Sequence, residues 1–261
     1  MKEQKTMPLE ILTIPCLSDN YAFIAHDAAS GETALIDAPE AAPILAALAE
    51  RNWRLSHILL THHHWDHVEG LADILKAHPA KVIGAADDAH RLPPLDVEVR
   101  EGDELTIGGE PIQVLDVSGH TIGHIAFHMP NSAAVFTADS LMALGCGRLF
   151  EGTPEQMWES LSKLAALPRE TVVYSGHEYT QSNGRFAETV DPHNPDLKTR
   201  IADIAIARAA GKATVPSTLS LELATNPFLR AQDPAIKTHL GMEEADAAAV
   251  FTEIRARKDR F

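Results

Sequence analysis

Cysteine is almost absent from this chain. Cys16 and Cys146 are the only two among 261 residues. Two cysteines cannot build a disulfide framework, and a chain of this length buries enough surface to fold without one. A reducing compartment, the cytoplasm, is therefore expected. Aromatic residues are also sparse, at 5%. No apolar run reaches the roughly 18 residues of a membrane-crossing helix, so no membrane partner is expected. The opening stretch Met1–Met7 is polar, and no apolar core follows it, so it does not read as a secretory signal. Basic residues number 22 against 37 acidic ones, a net charge of −15. Such a surface repels phosphate backbones and argues against a nucleic-acid partner.

Histidine, by contrast, is plentiful, with 14 in the chain, and residues 61–67 read Thr-His-His-His-Trp-Asp-His. A short apolar run, Ile58–Leu60, precedes this cluster and reads as a strand delivering it. In extended chain, His62 and His64 point to one side and can share an ion. Asp66 and His67 lie where the chain turns into a helix read over Val68–Lys76, and can aim at a second ion. Three more candidates follow strand-like segments: His120 after Ile112–Val117, Asp139 after Ala133–Thr137 and His177 after Thr171–Tyr174. Imidazole and carboxylate together suit zinc, iron or manganese better than calcium or magnesium. Seven such donors exceed what one structural ion uses, so the pattern predicts a dinuclear hydrolytic centre.

Strand-like runs with interspersed helices fill the chain to about Ser175. They include strands over Ile11–Ile14, Tyr21–Ala25 and Thr33–Asp37, and helices over Pro43–Glu50 and Pro154–Leu167. Thr153 and Pro154 supply an N-cap and a first helical position for the last of these. Beyond Ser175 the pattern turns helical, over Tyr179–Thr189, Pro195–Ala210 and Glu243–Lys258, with proline-marked connections. Two sheets faced by helices, followed by a helical domain, are expected, with a boundary at residues 177 and 178.

The order Thr-His-His-His-Trp-Asp-His, Gly-His, Thr-Ala-Asp-Ser, Gly-His resembles the metallo-β-lactamase superfamily over about residues 9–177. Asp19-Asn20-Tyr21, Gly145–Arg148, Gly176–Thr180, Thr225–Phe228 and the C-terminal Arg-Lys-Asp-Arg-Phe narrow the resemblance to the hydroxyacylglutathione hydrolases, or glyoxalase II family. That resemblance implies an α+β fold, a four-layered αββα sandwich over residues 1–177, and a glutathione-binding helical domain over 178–261. It implies a first ion held by His62, His64 and His120, a second by Asp66, His67 and His177, and Asp139 bridging them. Zinc is the expected metal, with iron or manganese as alternatives.

The implied reaction is hydrolysis of S-lactoylglutathione and other S-2-hydroxyacylglutathiones, a step of methylglyoxal detoxification, by a water ionised between the metals. Asp139 bridges, and Asp66 orients the nucleophile as well as ligating. A thiolate leaves without a strong general acid, because a thiol pKa is about 8.5. The resemblance also implies glutathione contacts from Arg148, Phe150, His177, Tyr179, Arg255 and Lys258. Two of these depart from the family's usual residues, lysine at 148 and tyrosine at 150. Arg148 keeps the charge, whereas Phe150 lacks the hydroxyl. From the residues alone, the cluster Arg255, Arg257, Lys258 and Arg260 reads either as a carboxylate-binding patch or as a solvated helix end. The enzyme is expected to act as a monomer on a small-molecule thioester. A β-lactamase gives no reason for the helical domain, and a nucleic-acid enzyme conflicts with the charge. A flavodiiron protein would carry glutamate in the histidine motif, and a mere binding module would not need open coordination positions.

His63 is expected to point away from the ions, and His124 and His128 to play supporting parts. Cys146 reads as loop packing and Cys16 as a small buried apolar group.

Overall fold

The computed structural model describes residues 8–261, so the Met1–Met7 stretch discussed above lies outside the described residues. The chain forms two compact units. One runs to Asp116 and includes Gly123–Phe136; the other comprises Val117–Ile122 and Thr137–Phe261. The boundary read from the sequence, at residues 177 and 178, falls inside the second unit.

The first unit opens with strands β1 (Glu10–Cys16), β2 (Asn20–His26) and β3 (Thr33–Ile36), helix α1 (Ala41–Arg51) and strand β4 (His57–Leu59). Helices α2 (Trp65–Val68) and α3 (Leu71–Ala77) and strands β5 (Lys81–Ala85) and β6 (Val97–Val99) complete a six-stranded sheet in the order β1-β2-β3-β4-β5-β6. The β1-β2-β3 part is antiparallel and β3-β4-β5-β6 is parallel. Strands β7 (Glu104–Ile107), β8 (Glu110–Asp116), β9 (Ile125–Met129) and β10 (Ala134–Ala138) pair antiparallel in sequence order.

Side-chain alternation explains why β2 is buried along its whole length. Ala22 and Ile24 face α1, where Ile44 and Leu48 join them with Leu35, Ile58 and Leu60 in one apolar cluster. Phe23 points the other way and meets Phe136 of β10, with ring centroids 5.5 Å apart. The first unit is thus two facing sheets, one of them covered by helices.

The helix expected over Val68–Lys76 begins earlier, at Trp65, and is interrupted at Gly70. The interruption has a steric cause. Gly70 donates its N–H to Ala38 O at 2.8 Å, and a Cβ there would sit 2.7 Å from Ala41 N. His67 O accepts from Ala38 N–H at 2.7 Å, so α2 is docked against the end of β3. Asp66 and His67 therefore lie on a helix rather than in the turn before one.

The second unit contains strands β11 (Leu141–Met142) and β12 (Gly145–Cys146), helix α4 (Pro154–Ala165), strand β13 (Val172–Ser175) and helices α5 (Thr180–Val190) and α6 (Pro195–Ala209). Strand β14 (Ser217–Thr218) and helices α7 (Leu219–Thr225), α8 (Pro234–Leu240) and α9 (Ala247–Arg260) end it. Helix α4 starts with a full capping box, Thr153 with Gln156, behind Pro154 at N1. Helix α9 starts at Ala247 rather than Glu243, because the Asp246 side chain accepts the Ala249 N–H and sets the cap there. Helices α7 and α8 occupy what the sequence marks as proline-punctuated connections. Each is seven residues long, too short for periodicity to reveal it. Among the described residues no helix is long and apolar enough to cross a membrane.

Glu222 of α7, fully buried, is the polar hub of this unit. It pairs with the buried Arg200 and accepts from Ser217 Oγ, Leu144 N at 2.9 Å and Asn226 Nδ2 at 3.1 Å. Asn226 also donates to Met142 O at 3.1 Å and Gly145 O at 3.0 Å, pinning the segment Leu141–Cys146. Glu222→Ala should lower unfolding free energy by roughly 3–5 kcal/mol, because it strands a buried guanidinium. Urea unfolding measures this, and a loss under about 1 kcal/mol would contradict the hub role.

Candidate metal centre

Each unit gathers its own share of the donors. In the first, β4 ends at Leu59 and the chain runs extended through Thr61–His64 before α2 begins. His62 is fully buried, and its Nε2 lies 3.2 Å from His64 Nδ1. One turn on, Asp66 Oδ2 is 4.0 Å from His67 Nε2.

Hydrogen bonds assign the tautomers. Asp37, at the end of β3 and 3% exposed, accepts from Thr61 N–H at 2.9 Å, Thr61 Oγ1 at 2.9 Å and His67 Nδ1 at 2.8 Å. The Thr61 hydroxyl proton is committed to Asp37, so Thr61 Oγ1 accepts from His62 Nδ1 at 3.0 Å. Both Nδ1 atoms therefore carry protons, and both Nε2 atoms present lone pairs, as metal-ligating histidines do. Asn20 Nδ2 donates to Asp66 O at 3.0 Å and Asp66 Oδ2 at 3.1 Å, fixing that carboxylate.

In the second unit, His120, Asp139 and His177 converge. Asp139 Oδ2 lies 3.4 Å from His120 Nε2 and 3.3 Å from His177 Nε2. His120 Nδ1 faces the Arg148 carbonyl at 2.7 Å, and a carbonyl can only accept, so His120 Nε2 is again the lone-pair atom. The Gly176 N–H donates to Ala138 O at 2.9 Å, which holds the His177 turn beside Asp139. Ala138 has φ 40°, a left-handed conformation a side chain adopts at a cost of about 1–2 kcal/mol. That twist turns Asp139 out of β10 toward the histidines. Asp37 shows the same feature, with φ 57°. Gly147 permits the close approach: a Cβ there would lie 1.8 Å from Asp139 O and 3.0 Å from His120 Nδ1.

Nitrogen lone pairs beside a carboxylate, or beside another ring nitrogen, form a donor set that a cation can share. An ion with ligand bonds of about 2.1 Å in tetrahedral geometry sets its donor atoms roughly 3.4 Å apart. The separations of 3.2, 3.3 and 3.4 Å match that spacing, so the donor sets of both units fit divalent cations.

Around the second unit's donors lie the other sequence candidates. Tyr179 is 39% exposed and stacks on His177, with centroids 4.7 Å apart and planes 6° apart. Phe150 is 62% exposed and meets the His120 ring edge-on at 5.2 Å. The Arg148 guanidinium lies over Phe150 at 5.8 Å and near Asp259 at 3.8 Å. Lys258 sits over Phe186 and Phe261, and burial first, then Arg255 and Arg185, pushes its pKa down to about 8. Arg255 differs from the exposed patch read in the sequence. It is buried, donating to Cys146 O at 3.1 Å and Asp259 Oδ1 at 2.9 Å, and its Nε has no hydrogen-bond partner.

Cys146 and Cys16 are buried free thiols, and burial pushes their pKa values up to about 11 and about 12. His63 turns away to Asp88 at 2.9 Å, and His124 stacks on His62 at 4.5 Å. Sequence reasoning missed Asp37, Thr61 and the role of Asn20. Asp37 carries the signal used for the other donors, an acidic residue just past a strand end.

A family model of the metallo-β-lactamase superfamily matches residues 20–177, which gives the class of protein that fold and donors define. A second model, the hydroxyacylglutathione hydrolase C-terminus, matches residues 178–261. Proteins named hydroxyacylglutathione hydrolase from Roseobacter denitrificans and Ruegeria pomeroyi are each 69% identical over 98% of this chain and 100% of their own length. The chain belongs to the hydroxyacylglutathione hydrolase family. Its fold is also similar to the crystal structure of TTHA1623 in a di-iron-bound form, at 29% identity and TM-score 0.59, covering 84% of this chain and 100% of that one.

The Asp37 assignment is testable. Asp37→Asn should weaken metal binding about 10–100-fold, read by competition with a chromophoric chelator, with circular dichroism unchanged. Unaltered affinity would contradict it.

Proposed function

We infer that this chain hydrolyses S-2-hydroxyacylglutathiones, S-lactoylglutathione foremost, to glutathione and a 2-hydroxy acid. The observation that carries this reading is the close set of donors within each unit: His62 with His64 and Asp66 with His67 in one, Asp139 between His120 and His177 in the other. In this reading His62, His64 and His120 hold one divalent cation, Asp66, His67 and His177 hold a second, and Asp139 serves both. Zinc is the proposed metal, with iron or manganese accepted by the same donors. The di-iron relative supports a two-metal site. Bound there, the cations would lower the pKa of water and stabilise negative charge on the thioester carbonyl oxygen.

The chain's own groups do the rest. Asn20 holds Oδ2 of Asp66, which fixes that carboxylate for its proposed part in ligating an ion and orienting a water. Asp37 keeps the His62 and His67 lone pairs facing the ions. The leaving thiolate needs no general acid.

Arg148, Tyr179 and Lys258 are the proposed contacts to the glutathione arm, with the aromatic face of Phe150 and the His177 ring completing the wall. Arg255 supports them from beneath, holding the Cys146 backbone and Asp259 while its Nε keeps an unused N–H. Contacts remote from the reacting carbon position the thioester. The division into a metal domain over 1–177 and a glutathione-binding domain over 178–261 is supported by the limits of the two family models. We propose a cytoplasmic monomer with no nucleic-acid or membrane partner.

His64→Ala and Asp139→Ala should each cut lactoylglutathione hydrolysis at least about 100-fold in protein whose metals have been counted. An untouched rate would sink the reading. Lys258 gives a pH test. Its pKa near 8 means that the ammonium is lost as pH rises through about 8. The KM for the tripeptide thioester should therefore climb above that pH, with little change for short thioesters lacking the tripeptide. Lys258→Arg should flatten the climb, and a flat wild-type profile would remove Lys258 from the binding site.

A further inference from the structure

His177 and Tyr179 share one turn, between β13 and α5. Their rings stack 4.7 Å apart, so a proposed ion ligand and a proposed wall of the thiol arm lean on one another. Glu178, between them, does not join the stack. Its side chain is 7% exposed and reaches instead to the segment that leaves α6. Thr214 donates to it from its N–H, at 2.8 Å, and from its Oγ1. The guanidinium of Arg208, in the last turn of α6, lies 3.3 Å from the same carboxylate.

The segment that receives Glu178 is itself fixed at both ends. Arg208 donates to Lys212 O at 2.9 Å and Lys212 N–H donates to Ala207 O at 2.9 Å, which folds residues 208–212 back onto the helix end. Beyond Thr214 the chain enters β14, which pairs with β13 at Val172 and Val173. The strap thus starts on α6, crosses at Glu178 and ends on the strand that delivers His177. On its other side the turn is held by Gly176 N–H donating to Ala138 O. Thr214 N–H, Thr214 Oγ1 and the Arg208 guanidinium are all donors, so this position calls for an acceptor with two oxygens. Hydrogen bonds to an ionised acceptor are also the stronger kind.

We propose that Glu178 is a positioning residue: docked on Thr214 and Arg208, it fixes the backbone between His177 and Tyr179 and so sets the ion ligand and the thiol-arm wall together. It acts on the reaction only through these neighbours. Its effect on substrate rests on the thioesterase reading of the site, whereas its effect on the His177–Tyr179 stack does not. A glutamine at 178 has the same shape but a single acceptor oxygen, and its amide N–H groups would face donors.

The test uses Glu178→Gln and Thr214→Val, with Thr214→Ser as the conservative control, in the metal-replete full chain. The chain has three tyrosines, so fluorotyrosine labelling gives three fluorine NMR resonances, and Tyr179→Phe assigns one of them. In Glu178→Gln and Thr214→Val the Tyr179 resonance should shift or broaden as its stack loosens, while that of Tyr21, in the other unit, stays in place. In the same proteins KM for lactoylglutathione should rise roughly fivefold, the equivalent of one lost hydrogen bond, and more than KM for short thioesters lacking the tripeptide. Thr214→Ser should match wild type, and the double variant should be no worse than either single one, because both remove the same contact. A Tyr179 resonance identical to wild type in both variants, or an equal KM rise for both substrate classes, would overturn the proposal. If wild type left lactoylglutathione intact, the thioesterase reading would fall and the Tyr179 resonance would decide the positioning claim by itself. Should Glu178→Gln fail to fold, Thr214→Val decides by the same criteria.

Discussion

Histidine and carboxylate donors packed within about 3.5 Å of one another are the constraint on which this molecule is organised. His120 and His177 aim ring nitrogens at one oxygen of Asp139, and His62 aims one at His64. A cation between such groups would be bound by all of them at once. Much of the surrounding structure holds these donors at the spacing a cation would need. The family's metal chemistry and the local electrostatics therefore point the same way from independent observations.

What holds the geometry is mostly backbone and buried polar contact. Ala138 and Asp37 accept left-handed φ values just where a strand must deliver a side chain sideways. Gly147 lets the Cys146 loop lie against Asp139, and Asn226 and Arg255 pin that loop from the helices behind it. Glu222 then ties Asn226 to Arg200. A chain of buried polar contacts thus runs from the core of the helical region to the wall of the donor set, all within one unit. The first unit uses a shorter device, one carboxylate, Asp37, serving a hydroxyl and an imidazole directly and a second imidazole through that hydroxyl.

The sequence made the donors legible because ligand chemistry is local: a histidine run after a strand, and Gly-His or Ala-Asp after others, read without knowledge of the fold. The strands and long helices were readable for the same reason, through alternation and caps such as Thr153-Pro154. The interruption at Gly70 was not, because its cause is a contact with Ala41, far off in sequence. Asp37 was hidden by being read as the last residue of its strand. Arg255 misled in the opposite sense. Its charge suggests a surface patch, yet α9 turns it inward, where Phe228 and Cys146 receive it. Charge in a sequence reports a preference for water, and a fold can override that preference by supplying partners.

The central claim, that these buried donors exist to hold a pair of cations, is tested most directly by anomalous diffraction from crystals grown metal-replete. The account predicts two peaks per chain, each within bonding distance of its three assigned side chains, with Asp139 touching both. A single peak, or none, with the imidazoles hydrogen-bonded to solvent instead, would contradict it.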